Sequence, residues 1–216
     1  MDDLKSHIST LREDFTKGTL NESDVNKNPN LQFELWLSQA IASKIPEVQA
    51  MNLSTVSNQG KPSSRIVYLR EFQNNDFYFY TNYNSKKAQD LFNNPNAAIT
   101  FFWPELERQI RIEGLVEKAS GEQSDAYYNQ RPFESQIGAW ASNQSHQLMS
   151  RNELEQKVEA LKKQFTPETI KRPHFWGGLV LKANYYEFWQ GRKSRLHDRI
   201  CYELKNDNWI INRIAP

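Results

Sequence analysis

Nine short runs rich in β-branched and aromatic residues, separated by turn formers, limit this chain to an antiparallel β architecture. They are Met51 to Ser57, Ser64 to Arg70, Phe77 to Thr81, Ala97 to Trp103, Gln109 to Glu117, Gly178 to Leu181, Tyr185 to Trp189, Arg199 to Leu204 and Trp209 to Ile214. Asn58-Gln59-Gly60, Asn74-Asn75-Asp76 and Lys205-Asn206-Asp207-Asn208 read as the tight turns between some of them. So many closely connected strands would expose sheet edges unless the sheet closes, which predicts an α+β, mainly β fold: an antiparallel barrel with helices packed outside it.

The helices are read from spacing and caps. Leu4, Ile8, Leu11 and Phe15 recur at helical intervals, and Gly18 ends that segment. A second helix starts at Pro29 and runs through Leu31, Leu35 and Ile41 towards Lys44. Ser150 and Glu153 form a capping box in front of a stripe of Leu154, Val158, Leu161 and Phe165. Shorter helices are expected after Asn84 (Ala88, Leu91, Phe92) and after Ser120 (Ala126, Tyr127), with Pro167 and Pro173 bracketing a loop. A chain of 216 residues buries about 70% of its unfolded surface, so residues 1–216 are expected to form a single domain. Residues 1–25, polar beyond the first helix, are expected to be a mobile lid segment.

Composition removes whole classes of chemistry. Lys and Arg number 27 against 26 Asp and Glu, a formal charge of +1, so no overall field draws the chain to nucleic acid or anionic lipid. No apolar run approaches the ~20 residues that cross a bilayer, the N-terminus lacks a secretory pattern, and Cys201 has no intrachain partner. A cytoplasmic location is the expectation. Eight glycines without G-x-G-x-x-G or G-x-x-x-x-G-K-[ST] leave no main-chain phosphate cradle. The four histidines show no zinc spacing, and no G-x-S-x-G elbow is present. Any phosphate must be held by side chains.

Three clusters could do so. In Arg195-Leu196-His197-Asp198-Arg199, extended backbone would send Arg195, His197 and Arg199 to one face as a ligand wall; the alternative is an edge strand whose cations pair with nearby acids. Arg65 to Arg70, followed by Tyr80, Thr81 and the helix start Ser85-Lys86-Lys87, offers ammonium groups and free N–H groups to an anion. Arg65 and Arg70 differ in strand parity, so they share a site only across a bulge or a strand end. Tyr127, Arg131 and Ser135 recur every fourth residue across Pro132, a phenol, a guanidinium and a hydroxyl suited to a second phosphate.

Several runs in order along nearly the whole chain carry a family resemblance: Arg65-Ile66-Val67, Phe79-Tyr80-Thr81-Asn82, Ser135-Gln136-Ile137-Gly138-Ala139-Trp140, Phe175-Trp176-Gly177-Gly178, Phe188-Trp189-Gln190-Gly191-Arg192 with Arg195 to Arg199, and the terminal Ala215-Pro216. Together they resemble the pyridoxine/pyridoxamine 5′-phosphate oxidases. The resemblance implies an FMN-binding split barrel and a homodimer with active sites at the subunit interface. It also implies oxidation of pyridoxine 5′-phosphate and pyridoxamine 5′-phosphate to pyridoxal 5′-phosphate, with hydride passing from C4′ to flavin N5 and O2 as acceptor. Hydrogen peroxide would be released, and ammonia from the amine.

Carried over residue by residue, the family's FMN contacts fall on Arg65, Ile66, Val67, Tyr68, Leu69, Arg70, Tyr80, Thr81, Lys86, Lys87, Gln109, Gln144, Ser145, Trp189 and Arg199. Its substrate contacts fall on Arg12, Phe15, Arg70, Tyr127, Arg131, Ser135, Arg195 and His197, the last two being the expected catalytic pair. Arg70 stands where lysine is common, Lys86 where arginine is, and Phe15 where some members have tyrosine. The first two keep charge and change donor geometry; the third removes a hydroxyl. Three competing readings are another flavin-dependent split-barrel reductase fed by a nicotinamide, a non-catalytic carrier of B6 phosphates or flavin, and a β-barrel that grips single-stranded nucleic acid.

Overall fold

A computed structural model describes residues 7, 11 and 14–216. The expected first helix and Arg12 lie largely or wholly outside the described residues. The elements are β1 (Ala50–Val56), β2 (Pro62–Tyr68), β3 (Glu71–Gln73), β4 (Asp76–Asn82), β5 (Asn96–Trp103), β6 (Arg108–Lys118), β7 (Trp176–Gln190), β8 (Asp198–Lys205) and β9 (Asn208–Arg213). The helices are α1 (Pro29–Ala42), α2 (Lys86–Asn93), α3 (Gly121–Gln130), α4 (Phe133–Ala141) and α5 (Arg151–Gln164). The strands hydrogen-bond in the order β2-β1-β5-β6-β7-β4-β3, with β8 pairing β7 and β9.

Local chemistry explains most boundaries. Asn74 and Asn75 join β3 to β4 at φ 47° and 70°, and Asn206 and Asp207 join β8 to β9 at φ 48° and 62°. These are the left-handed pairs that suit a two-residue hairpin. Asn28 caps α1 by accepting from Asn30 N–H, and the hydroxyls of Ser120 and Ser150 accept from Gln123 and Glu153 N–H at the starts of α3 and α5.

Four expectations need correction. Glu71–Gln73 is an additional short strand. Gly178 to Leu181 and Tyr185 to Trp189 are parts of one 15-residue strand, β7, and not two. Where one helix broken by Pro132 was expected to carry residues 127, 131 and 135, there are two, and Phe133–Ala141 begins immediately after that proline. In α1 the side chains of Leu31, Leu35 and Ile41 are exposed, whereas Phe33, Trp36 and Ala40 are buried, because the stripe with two aromatic rings removes more apolar area from water.

The chain divides into two compact units, one comprising the chain up to Val48 with Thr100–Ile112 and Tyr185–Pro216, the other Gln49–Ile99 with Glu113–Asn184. In the first, Phe33 packs on Phe101 and Trp36 on Phe188, with centroids 5.4 and 5.2 Å apart, and the buried phenols of Tyr186 and Tyr202 donate to Asn30 Oδ1 and Asn26 O. In the second, β1 pairs with β2 from Ala50↔Tyr68 to Val56↔Pro62, and β4 pairs with the first half of β7 from Asp76↔Lys182 to Asn82↔Trp176. Its core holds Met51, Leu53, Phe77, Phe79, Leu91, Leu179 and Leu181. No helix among the described residues is long and apolar enough to cross a membrane.

Candidate active site

The second unit contains a cavity of about 720 Å³, a size typical of small-molecule sites. Arg65, Ile66, Val67, Tyr68, Arg70, Tyr80, Thr81, Lys87, Tyr127, Arg131, Ser135 and Gln144 all line it. The parity conflict between Arg65 and Arg70 is resolved by a strand end. β2 stops at Tyr68, Leu69 N–H still donates to Gln49 O, and Arg70 N–H already donates to Tyr78 O. Leu69 itself is buried and turned from the cavity.

Two groups of cations face this space. Arg65 donates to Leu53 O, Thr55 Oγ1 and Ser63 Oγ at 2.8–3.1 Å, all neutral acceptors. Lys87 Nζ donates to Thr81 Oγ1 and Gln144 Oε1, each at 3.1 Å, and more weakly to Ser85 Oγ. Burial, and then the charge of Arg65, bring the Lys87 ammonium down to about 8. Two desolvated cations that repel each other and touch only neutral groups fit a phosphate, whose charge would reverse both penalties. Lys86, by contrast, extends to Asp90 at 2.7 Å, and the exposed Ser145 has φ 72°; neither lines the cavity.

The second group forms where α3 ends and α4 begins. Tyr127 lies in the last turn of α3, Arg131 follows, and Ser135 is in the first turn of α4. The Arg131 guanidinium lies 4.5 Å from the centroid of Trp176, and its buried Nη1 has no hydrogen-bond partner. Burial chiefly, with the charge of Arg70 adding, pulls its pKa down. The rings of Tyr80 and Tyr127 stack at 3.7 Å and 14°, parallel to Trp176, and burial pushes the Tyr80 phenol up to about 12. An orphaned guanidinium nitrogen in a cavity also lined by a phenol and a hydroxyl has the donor chemistry an anion requires. Trp176, Gln130 and Asn82 line the cavity without having been assigned roles from the sequence; Trp176 and Asn82 lie in the runs that carry the resemblance.

The remaining candidates belong to the first unit. Gln109 is half-buried on β6. Arg195, His197 and Arg199 do not share one extended face: Lys193–Arg195 is a 3₁₀ turn with Ser194 and Arg195 at φ 56° and 60°, and β8 starts only at Asp198. The alternation fails because the backbone reverses there. His197 sits with its ring 4.6 Å from Trp189 and 5.5 Å from Phe15; burial first, then Arg195, hold its pKa below the usual histidine value against the opposing charge of Asp198. Gly191 permits this packing, since a Cβ there would meet Phe15 at 2.7 Å. Arg199 grips the buried Glu187 with two 2.9 Å hydrogen bonds and also donates to Ala215 O. Arg195 is exposed and does not line the neighbouring hollow of about 600 Å³, which is bounded by Phe15, Lys17, Arg192, Lys193, Ser194 and Leu196 among others.

Comparisons with known proteins identify the family. Residues 37–165 match the family model described as pyridoxamine 5′-phosphate oxidase, and residues 176–216 match the pyridoxine 5′-phosphate oxidase C-terminal dimerisation region. The chain is 48% identical over 216 residues to the pyridoxine/pyridoxamine 5′-phosphate oxidase of Cytophaga hutchinsonii, covering 99% of this chain and all of that one. It is 47% identical to the protein of that name from Acaryochloris marina, covering 100% and 99%. Among solved structures, PhzG from Burkholderia lata in complex with tetrahydrophenazine-1-carboxylic acid is 26% identical, with a TM-score of 0.86 over 92% of this chain and 98% of that one. A pyridoxamine 5′-phosphate oxidase-related, FMN binding protein from Nostoc punctiforme, 18% identical with a TM-score of 0.69 over 85% of this chain and 97% of that one, shares the fold. The fold is the split barrel, and the chain belongs to the pyridoxamine 5′-phosphate oxidase family.

Proposed function

We propose that this protein is an FMN-dependent oxidoreductase that converts pyridoxine 5′-phosphate and pyridoxamine 5′-phosphate to pyridoxal 5′-phosphate with O2 as acceptor. It acts in the cytoplasm as a single-domain protomer of a homodimer with its sites at the subunit interface. The observation that carries this reading is the pair of cation groups lining one cavity, Arg65 with Lys87 and Arg70 with Arg131, suited to two phosphate monoesters. Full-length identity near 48% to proteins named for this activity supports it.

In this reading Arg65, Thr81, Lys87 and Gln144 hold the flavin phosphate, the last two already hydrogen-bonded to each other at 3.1 Å. FMN held there would supply a hydride acceptor and a route for the electrons to oxygen. Tyr127, Arg131 and Ser135, with Arg70, bind the substrate phosphate and so fix the distance of C4′ from its acceptor. Arg195 contributes charge and His197 a hydrogen bond at the reacting end. The partly unpaired cations are preorganised, so little reorganisation accompanies binding.

The test is direct. The purified protein should be yellow, should bleach anaerobically on adding pyridoxine 5′-phosphate, and should form the aldehyde and hydrogen peroxide once air is admitted. A colourless protein that refuses added FMN and leaves both esters untouched would defeat the reading, and bleaching by NADH alone would favour a nicotinamide-fed reductase.

A further inference from the structure

The loop from Arg192 to Asp198 contains two consecutive left-handed residues that are not glycine, Ser194 and Arg195. Such backbone persists only where its surroundings over-determine it. Ser194 N–H donates weakly to Asp14 Oδ1 at 3.4 Å, and the two ends of the loop are tied together by charged contacts centred on Asp198. Its Oδ2 accepts from Arg192 Nη1 at 2.9 Å and from Leu20 N–H at 3.0 Å, and its Oδ1 accepts from Arg213 Nη1 at 2.8 Å. Arg213 is itself fixed by a two-point contact with Glu22 at 2.8 and 2.9 Å and by Leu20 O.

The consequence falls on His197. Arg192 N–H donates to His197 Nδ1 at 3.0 Å. A main-chain N–H can only donate, so Nδ1 must be a bare acceptor, and the neutral ring carries its proton on Nε2. Phe15 and Trp189 contact the ring as well, which limits the orientations that could exchange the two nitrogens. We infer that Asp198 is a positioning residue: by anchoring the Arg192 side chain it holds the Arg192 amide on Nδ1 and so fixes His197 as an Nε2 hydrogen-bond donor. His197 in this state presents a proton to an acceptor oxygen and does not accept one through Nδ1. The inference deepens the proposed function and rests on it where it takes His197 to touch the substrate; the tautomer itself is a property of the loop.

The experiment separates the two. Holoenzyme labelled with 15N-histidine, with the His197 signals assigned by their loss in His197→Asn, should show the proton on Nε2. Arg192→Ala, which removes the tether and leaves the main-chain N–H, should show a mixture of tautomers, with flavin content retained and kcat/KM reduced about tenfold, the scale of one hydrogen bond. Asp198→Asn should do the same where it folds; Arg192→Ala leaves the contact of Asp198 with Arg213 in place and carries the test where it does not. A proton on Nδ1 in the parent protein, or an unchanged tautomer in Arg192→Ala, overturns the inference. An Nε2 proton that becomes mixed in Arg192→Ala, in a protein that turns over neither B6 ester, supports the loop assignment and overturns the functional reading alone.

Discussion

The cations of the cavity and those around the 191–199 loop are chemically alike and electrostatically opposite. Lys87 and Arg131 meet hydroxyls, an amide oxygen and aromatic faces, and Arg65 reaches Asp90 only through the Thr55 hydroxyl. All three are held below their ordinary pKa, burial being the first cause. Arg199 and Arg213 instead lie directly on carboxylates, which raise their pKa values, and Arg192 lies on Asp198. A buried cation without a counter-charge is an expense to the fold that an anionic ligand can offset, whereas a cation already on a carboxylate is part of the frame. On the proposed function, the contrast divides these positive residues into ligand binders and scaffolding.

The largest expected effect tests the binders. Arg131→Met should lower kcat/KM for pyridoxine 5′-phosphate by roughly 10²–10³, as expected when one member of a desolvated charge pair is removed, with FMN still bound. A loss below about tenfold would remove Arg131 from the anion subsite. Next is Arg199, which the family resemblance makes an FMN contact and the structure also ties to Glu187. Arg199→Met leaves that carboxylate, 2% exposed, with Arg111 as its remaining ion-pair partner at 3.1 Å. Stability should fall by about 3 kcal/mol, read from the urea midpoint, with flavin affinity of the folded protein little changed. Unchanged stability with flavin lost would place Arg199 among the binders and break the contrast.

The sequence made the binders more legible than the frame. Tyr127, Arg131 and Ser135 converge because Arg131 and Pro132, both extended, join the end of α3 to the start of α4, a local break that the proline marks, and the Asn74-Asn75 and Asn206-Asp207 turns declare themselves by residue type. The cap at Ser150 was equally local, although of the expected capping box only the serine half forms, the Glu153 carboxylate accepting from Met149 N–H instead of Ser150 N–H; Leu154, Val158 and Leu161 are the half-buried face of α5, with the half-buried Phe165 following it. What stayed hidden depends on register. Arg199 meets Glu187 because β7 and β8 pair Trp189 with Arg199 and Glu187 with Cys201, which sets the two charges diagonally across the ladder. β7 runs on through Lys182 and Asn184 beside Gly114, where a side chain would collide with Lys182 O. The false alternation of Arg195, His197 and Arg199 came from assuming extended backbone where Asp198 and Arg192 fold a turn. Pairing with acids was the alternative weighed for those cations, and it describes Arg199.

Lys87 carries the remaining and smaller predictions. Lys87→Met should weaken FMN binding by about 10- to 100-fold, the range for a hydrogen bond to a charged group. The pH dependence then sharpens the assignment. In the flavin-free protein the ammonium titrates near 8, and a phosphate binds its charged form. Above the phosphate's own second ionisation at about 6, FMN affinity should therefore be flat up to pH 8 and fall as pH rises through it, by at most tenfold per unit, until the pH passes the raised pKa of the complex. Stability of the flavin-free chain moves the other way. Its folded state holds this proton less tightly than an ordinary lysine of 10.5, so the group's unfavourable contribution is complete below pH 8 and is relieved between 8 and 10.5. Calorimetric titrations with FMN across this range should lose the decline in Lys87→Met and keep it in Lys86→Met, because Lys86 extends to Asp90 and does not line the cavity. An equal decline in Lys87→Met would mean that another group titrates against the phosphate, and Lys87 would then belong with the frame.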